Sequence, residues 1–200
     1  MYTLYYSKGA CSLAVHVLLN ELNLPHKIID TSIKNGKNRD ANFLKINPRG
    51  QIPVLVHGDL VIREGVAILL YLLSQHKNSL LPKEGTAKVH ALEWLMFANA
   101  TLHPAYSRIF FLLRNNSDNN AKDFLTIAYR NVEKLWQEVE ENLAKHNFIA
   151  GDKITIADIL LTVISGWKLP EEINFGKNCQ KLFENVRNME SYKKSIDAEI

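Results

Sequence analysis

Cysteine is scarce in this chain, with Cys11 and Cys179 the only two. So few thiols exclude a disulfide framework and fit a reducing, cytoplasmic setting. Charge of one sign is also scarce. The net charge is +3 and no basic run concentrates it, which argues against nucleic acid as a partner. No apolar stretch approaches the length of a membrane span, "VAILLYLL" (66–73) being too short, so no membrane association is expected. The start, "MYTLYYSKG", has no charged region followed by an apolar block, so no signal peptide is expected. There is no internal repeat, and no low-complexity tract beyond the polar "NNSDNNAK" (115–122). No second cysteine follows Cys11 at position 14, where Ala14 stands, so a dithiol redox motif is excluded. What remains is an ordinary soluble composition, 46% apolar and 22% charged, in 200 residues. That length suffices for one good-sized core or two small domains sharing an interface.

The first third alternates in character. "YTLYY" (2–6) and "HKIIDTSI" (26–33) read as strands, because aromatic and β-branched residues suit a pleated surface. Between them, "SLAVHVLLNELN" places Leu13, Val17 and Leu18 on one helical face, widened by Val15, Leu19 and Leu22. "DANFLKINP" reads as a short helix with an extended exit, since the residue before a proline is biased away from helix. "VLVHGDLVIREG" reads as a hairpin around His57, Gly58 and Asp59, and "EGVAILLYLLSQH" as an apolar helix. Beyond the turn-rich "NSLLPKEGT" (78–86), strand signals disappear and long helical patterns take over. This order predicts an α/β unit over 1–77, a linker at 78–86 and an all-α unit over 87–200. Pro104 lies inside one of those helical patterns and predicts a kink beside His103, with Met96, Asn99 and His103 on one face. In "ITIADI", Thr155 and Asp158 have capping-box spacing, and Ile154 and Ile159 sit where a hydrophobic staple packs. A well-made helix start accounts for that segment, and no chemistry is assigned to it.

Three local features in the first unit carry chemical interest. Cys11 opens the first helix after Gly9, where unpaired N–H groups stabilise a thiolate and lower a thiol's pKa. The commoner fate of a free cysteine is a small buried hydrophobe, but a helix mouth is not where a core filler is needed. Cys179, within the amphipathic "NCQKLFENV", has no such setting and reads as structural. In "NPRGQIPVL" (47–55), Pro53 stands at a strand's start. An ordinary trans proline at a strand edge is the commoner case and is preferred on residue type alone; the functional alternative is a cis bond that turns the Ile52 backbone outward to an extended peptide ligand. In "REGVAI", Glu64 and Gly65 begin a helix whose free N–H groups favour a ligand carboxylate, although Glu64 also reads as a first-turn acid serving its own helix dipole.

Together, "YYSKGACSLA", "NPRGQIPVL", "REGVAILLYL" and "GDKITIAD", in this order and spacing, resemble the beta-class, bacterial-type glutathione transferases over residues 2 to about 168. The resemblance implies a thioredoxin-like βαβαββα domain, an all-α domain and a homodimer with the active site near the subunit interface. It implies glutathione as co-substrate, a small hydrophobic electrophile and no metal. Cys11 then faces the glutathione sulfur, with Tyr6 and Ser12 beside it, and His103 points into the site. Ile52 bonds the cysteinyl backbone, with Gln51 adjacent and Pro53 cis, while Glu64 and Gly65 hold the γ-glutamyl end. Lys34, or Lys37 in its place, meets the glycyl carboxylate, and Asn99 adds a contact from the second domain. Where Met96 and Thr101 stand, the family often has an asparagine and an acid near the tripeptide. The tail "LPEEINFGKNCQKLF" matches poorly, so the electrophile's identity stays open. The implied activity is conjugation, with thiol transfer or disulfide reduction through Cys11 as a side reaction. Two rival readings are a non-catalytic scaffold of the same fold and a glutathione-dependent isomerase or dehalogenase.

Overall fold

A computed structural model describes residues 1–115 and 121–199 of the chain. The middle of the polar "NNSDNNAK" tract lies outside the described residues. Strands β1 (Tyr2–Tyr6), β2 (His26–Asp30), β3 (Val54–His57) and β4 (Leu60–Ile62) form one sheet in the order β2-β1-β3-β4. β1 pairs parallel with β2 and antiparallel with β3, and β3 pairs antiparallel with β4. Helix α1 (Ser12–Glu21) makes the crossover between the parallel strands, as such a pair requires. With α2 (Ala41–Ile46) and α3 (Gly65–Gln75), the first unit reads βαβαββα, the thioredoxin-like pattern expected from the sequence. β2 stops at Asp30, shorter than the apolar run suggested, because Ser32 to Arg39 turn away into a short 3-10 segment. The strict alternation in β1 buries Tyr2, Leu4 and Tyr6 on one face.

Among the described residues the second unit is built of helices joined by turns, with one isolated β-bridge between Phe148 and Gly151: α4 (Gly85–Met96), α5 (His103–Arg114), α6 (Ala121–Leu143), α7 (Ile156–Ser165), α8 (Lys177–Arg187) and α9 (Glu190–Ala198). α4 begins inside the stretch read as a linker. The connection before it is pinned: Asn78 donates to the Leu73 and His76 carbonyls, and the buried Leu80 offers its carbonyl to the Ile156 N–H at 2.9 Å. The kink expected at Pro104 takes the form of a π-helical segment, Phe97–Leu102, between α4 and α5. Proline has no N–H for the carbonyl four residues back and its ring crowds it, so a locally wider turn relieves both. In that segment the His103 N–H reaches the Ala98 carbonyl, five residues back. The wider winding also separates the three residues expected on one face. Met96 is exposed, away from the cleft that Asn99 and His103 line.

α6 presents Tyr129, Val132, Trp136, Val139 and Leu143 at alternating spacings of three and four, one buried stripe that seats it on the other helices. One continuous apolar core runs from β1 through α1 and α3 into α5, α7 and α8. α1 is the hinge pin of the arrangement, buried over nearly its whole length and packed against both α7 and α9. Two buried polar contacts fasten α9 to it: the Asn20 side-chain amide donates to Ser195 Oγ at 2.8 Å, and His16 Nδ1 lies 3.3 Å from Glu199 Oε1. The capping box at α7 forms as expected. The fully buried Asp158 carboxylate accepts from the N–H groups of Ile149 and Thr155 and from the Thr155 hydroxyl, at 2.7 to 2.8 Å. No helix among the described residues is long and apolar enough to cross a membrane.

Candidate active site

Where the first unit meets α5 and the turn after α7, an open cleft of about 1100 Å³ is lined from both sides. That is slightly more than the usual range of small-molecule sites. Its first wall is made largely of backbone. The Ile52–Pro53 peptide bond is cis, and Gln51, Ile52 and Pro53 line the cleft. The turn that presents them is tied from beneath by two buried asparagines. Asn47 donates to the Gln51 carbonyl at 2.7 Å, and Asn38 donates to the Gly50 carbonyl at 2.8 Å. Gly50 sits at φ 64°, in the left-handed region, directly over the Asn38 carbonyl. Next to this turn the first residues of α3, Gly65 and Val66, bring helix N–H groups that have no acceptor within the helix. Glu64 precedes them and accepts from Arg49 Nη1 at 2.7 Å, a pair in which both side chains are largely exposed.

Cys11 stands at the N-cap of α1 and lines the same cleft. Its environment reverses the expected acidity. Burial pushes the thiol up to about 11, outweighing the backbone N–H groups of Cys11 and Ser12, which pull it down, and the Glu64 charge adds to the rise. The helix mouth is present as the sequence suggests, but desolvation costs the thiolate more than the helix end returns. Cys11 is therefore a neutral thiol near pH 7, and its Sγ points at the Ile52 carbonyl at 4.0 Å. Cys179 is buried, with its thiol against the Trp136 carbonyl and its pKa driven up by burial, the structural cysteine the sequence indicated.

The expected residues do not all gather here. Cys11, Lys34, Gln51, Ile52, Pro53, Glu64, Gly65, Asn99 and His103 line the cleft. Tyr6 and Ser12 do not. Tyr6 shares the inward face of β1 with Leu4 and is part of the core. Ser12 is fully buried and staples the loop before α1, accepting from the Ser7 N–H and donating to the Ser7 carbonyl, both at 3.2 Å. Lys37 is drawn away by an ion pair with Asp30, which leaves Lys34 as the lysine of that loop at the cleft.

The second wall is made of side chains. His103, Ser107, Phe110 and Arg114 recur at four, three and four residues along α5 and so share its cleft face. Burial holds the His103 imidazole below its usual pKa, so it is neutral at pH 7. Trp167 packs edge-on against it at 4.7 Å between ring centroids, and also lies 5.5 Å from Tyr106 and 6.2 Å from Phe110. Sequence reasoning missed Arg49, Trp167 and the two asparagines. Of these, Asn47 alone carried a local signal, an Asn-Pro two residues ahead of a glycine turn. The cleft's charge was also missed: among the described residues seven lysines and arginines line it, against the single carboxylate of Glu64. Among the described residues no group of three or more His, Cys, Asp or Glu is arranged to hold a metal ion.

Comparison with known proteins points the same way. A family model for the glutathione S-transferase N-terminal domain matches residues 1–74, and one for the C-terminal domain matches 102–192. Glutathione S-transferase GstA of Escherichia coli O157:H7 is 29% identical over 176 residues, covering 86% of this chain and 84% of the relative. Glutathione S-transferase GST-4.5 of Xanthomonas campestris pv. campestris is 30% identical over 176 residues, covering 82% and 81%. The solved structure of a glutathione S-transferase from Xylella fastidiosa superposes with a TM-score of 0.90 at 24% identity, covering 100% of this chain and 98% of that one, so the two share a fold.

Proposed function

The chain belongs to the glutathione S-transferase family, and we propose that it joins the thiol of glutathione to small electrophiles in the cleft between its two halves. The observation that carries this is the convergence of Ile52, Pro53, Glu64, Gly65 and Cys11 on one wall with Asn99 and His103 facing them. On this reading residues 1–77 hold the tripeptide, 78–86 join the halves, and 87–200 form the electrophile pocket and part of a homodimer interface in a cytoplasmic enzyme.

Each part of glutathione finds a matching group. The Ile52 backbone pairs with the cysteinyl segment as one rung of an added strand, with Gln51 beside it. The γ-glutamyl carboxylate lies at the N–H groups that open α3, while its ammonium meets Glu64, which also pairs with Arg49. Lys34 meets the glycyl carboxylate, and Asn99 closes over the peptide from the second half. The sulfur then lies beside Cys11 at the mouth of α1. There a neutral Cys11 is an S–H donor to the glutathione thiolate, which its own high pKa keeps from competing as an anion. Each unit by which the site lowers the glutathione thiol's pKa corresponds to about 1.4 kcal/mol of thiolate stabilisation. The thiolate attacks the electrophile and forms the new bond to sulfur, and the leaving group departs with its electron pair. On this reading His103, kept neutral by burial, takes the thiol proton or donates to the departing group. Thiol transfer through a Cys11 thiolate is the weaker route, because that thiolate is scarce at neutral pH.

Calorimetric titration of the reduced protein with glutathione tests the reading. Saturable binding in the micromolar to millimolar range, weakened about tenfold in Glu64→Ala, supports it. No heat at any temperature from a folded protein sinks it.

A further inference from the structure

The cleft holds more positive charge than glutathione can use, and the surplus lies on the wrong wall for it. Lys8, Lys34, Arg39, Arg49 and Arg63 line the side that the tripeptide occupies on the reading above, and they already outnumber its two carboxylates. Arg114 and Lys168 belong to the other wall, at the C-terminal end of α5 and in the turn that follows α7. Neither is paired with a carboxylate among the described residues. Between them and His103 lies an apolar shelf. Phe110 and Leu113 supply it from α5, and the Trp167 ring closes it, 6.2 Å from Phe110 and 4.7 Å from His103.

The dimensions set what fits. His103 and Arg114 are separated by eleven residues, about 16 Å along the helix axis. Helical side chains lean towards the N-terminus, and Arg114 Nε is tethered to the Phe110 carbonyl at 3.1 Å, so its guanidinium lies back over the Phe110 turn. The reach from the reacting end of the cleft to that charge is about 10 Å. We infer that the preferred second substrates are anionic electrophiles: a flat apolar body that lies against Phe110 and Trp167, reacts at the His103 end, and carries a carboxylate or similar acidic group to Arg114 and Lys168. This rests on the transferase reading and specifies its substrate class. In the reaction the glutathione sulfur forms the carbon–sulfur bond, a halide leaves with the bonding pair and the thiol proton passes to solvent. The substrate's acidic group takes no part in the bond changes and serves only in recognition.

A pair of probes separates this from the parent reading: a chloronitrobenzene bearing a carboxylate on a two-carbon tether, and its primary amide of equal size. The tether keeps the ring electronics alike, and each rate is taken relative to the uncatalysed rate of the same probe, which corrects for repulsion between the glutathione thiolate and the carboxylate. At low salt the wild type should show kcat/KM about five- to tenfold higher for the carboxylate, the size expected of two solvent-exposed charge contacts. The ratio should shrink as salt is added. In an Arg114→Gln, Lys168→Gln double variant it should fall to about one, and Arg114→Glu should push it below one. A ratio of one or less in the wild type, or a high ratio that the double variant retains, overturns the inference while leaving the transferase reading intact. Turnover of neither probe overturns the inference, and if the folded protein also binds no glutathione the transferase reading goes with it.

Discussion

The two walls of the cleft are built by different means. The first is backbone: a tied turn over Asn38 and Asn47, an outward-facing Ile52 and the opening of α3. The second is side chains on α5 and Trp167, held in place by how α7 and its flanking turns pack. Backbone walls recognise what every substrate pair shares, here a peptide. Side-chain walls can be exchanged one residue at a time, and so set what differs between related enzymes. The difference also locates their vulnerabilities. The second wall depends on a buried polar cap behind it, and the first depends on single glycine positions.

The largest expected effect therefore comes from Asp158, which touches neither wall. Its carboxylate anchors the start of α7 and the Ile149 strand-like turn, and α7 ends at the Gly166–Lys168 segment of the second wall. Asp158→Ala leaves two buried N–H groups and a hydroxyl without an acceptor. The expected loss is about 3 kcal/mol in denaturant unfolding at pH 7. Burial also pushes this carboxyl up from 3.8 to about 6. The folded protein thus holds the proton more tightly than the unfolded chain. The stability tied to that proton is fully present below the unfolded pKa and is lost as pH rises through about 6. Asp158→Asn has no such titration, so the stability gap between wild type and this variant should narrow from pH 4 to pH 7. A gap independent of pH would mean that the three hydrogen bonds keep the carboxylate ionised throughout.

The second effect is on reactivity. A thiol raised from 9.0 to about 11 carries roughly a hundredfold less thiolate at pH 7. Iodoacetamide should therefore label Cys11 about a hundredfold more slowly than a free cysteine of ordinary pKa, with the rate still climbing at pH 10. Labelling that saturates near pH 8, followed site by site by mass spectrometry, would show that the mouth of α1 outweighs burial after all. It would restore Cys11 as a thiol-transfer nucleophile.

The contrast between walls also explains what could be read from the sequence. The order of elements, Glu64 at the start of α3 and the Thr155–Asp158 cap follow from chemistry within a few residues and appear where expected, whereas residue type alone favours a trans Pro53 and only the family resemblance implied the cis bond that is present. The family resemblance set Tyr6 and Ser12 beside Cys11, and the structure shows what else holds them. Strand alternation turned Tyr6 inward with Leu4, and the loop's own need for hydrogen bonds took Ser12. The acidity of Cys11 was misjudged because the helix mouth is local, whereas burial is imposed by everything packed around it. Trp167 and the basic excess were invisible for the same reason. They matter only once α5, the turn after α7 and the first unit are brought together.

Two glycines on the first wall make the sharpest small test. At Gly50 the backbone is at φ 64°, and an added Cβ would lie 2.9 Å from the Asn38 carbonyl oxygen. An L-residue is strained in that region, and the close atom is backbone that cannot swing aside. Gly50→Ala should cost about 2 kcal/mol and weaken glutathione binding, because the Asn38 tether and the presentation of Ile52 must both shift. Gly65, at the opposite edge of the same wall, has an ordinary helical backbone, and its added Cβ would meet Pro53 Cγ at 3.5 Å, normal van der Waals contact. Gly65→Ala should change stability by less than about 1 kcal/mol, in the stabilising direction if at all. If thermal unfolding finds the two substitutions equal, the first wall is not held by its backbone conformation. Its adaptability would then have to be sought in the Arg49–Glu64 pair, an ion pair between the turn and the start of α3 that two exposed side chains can make or release.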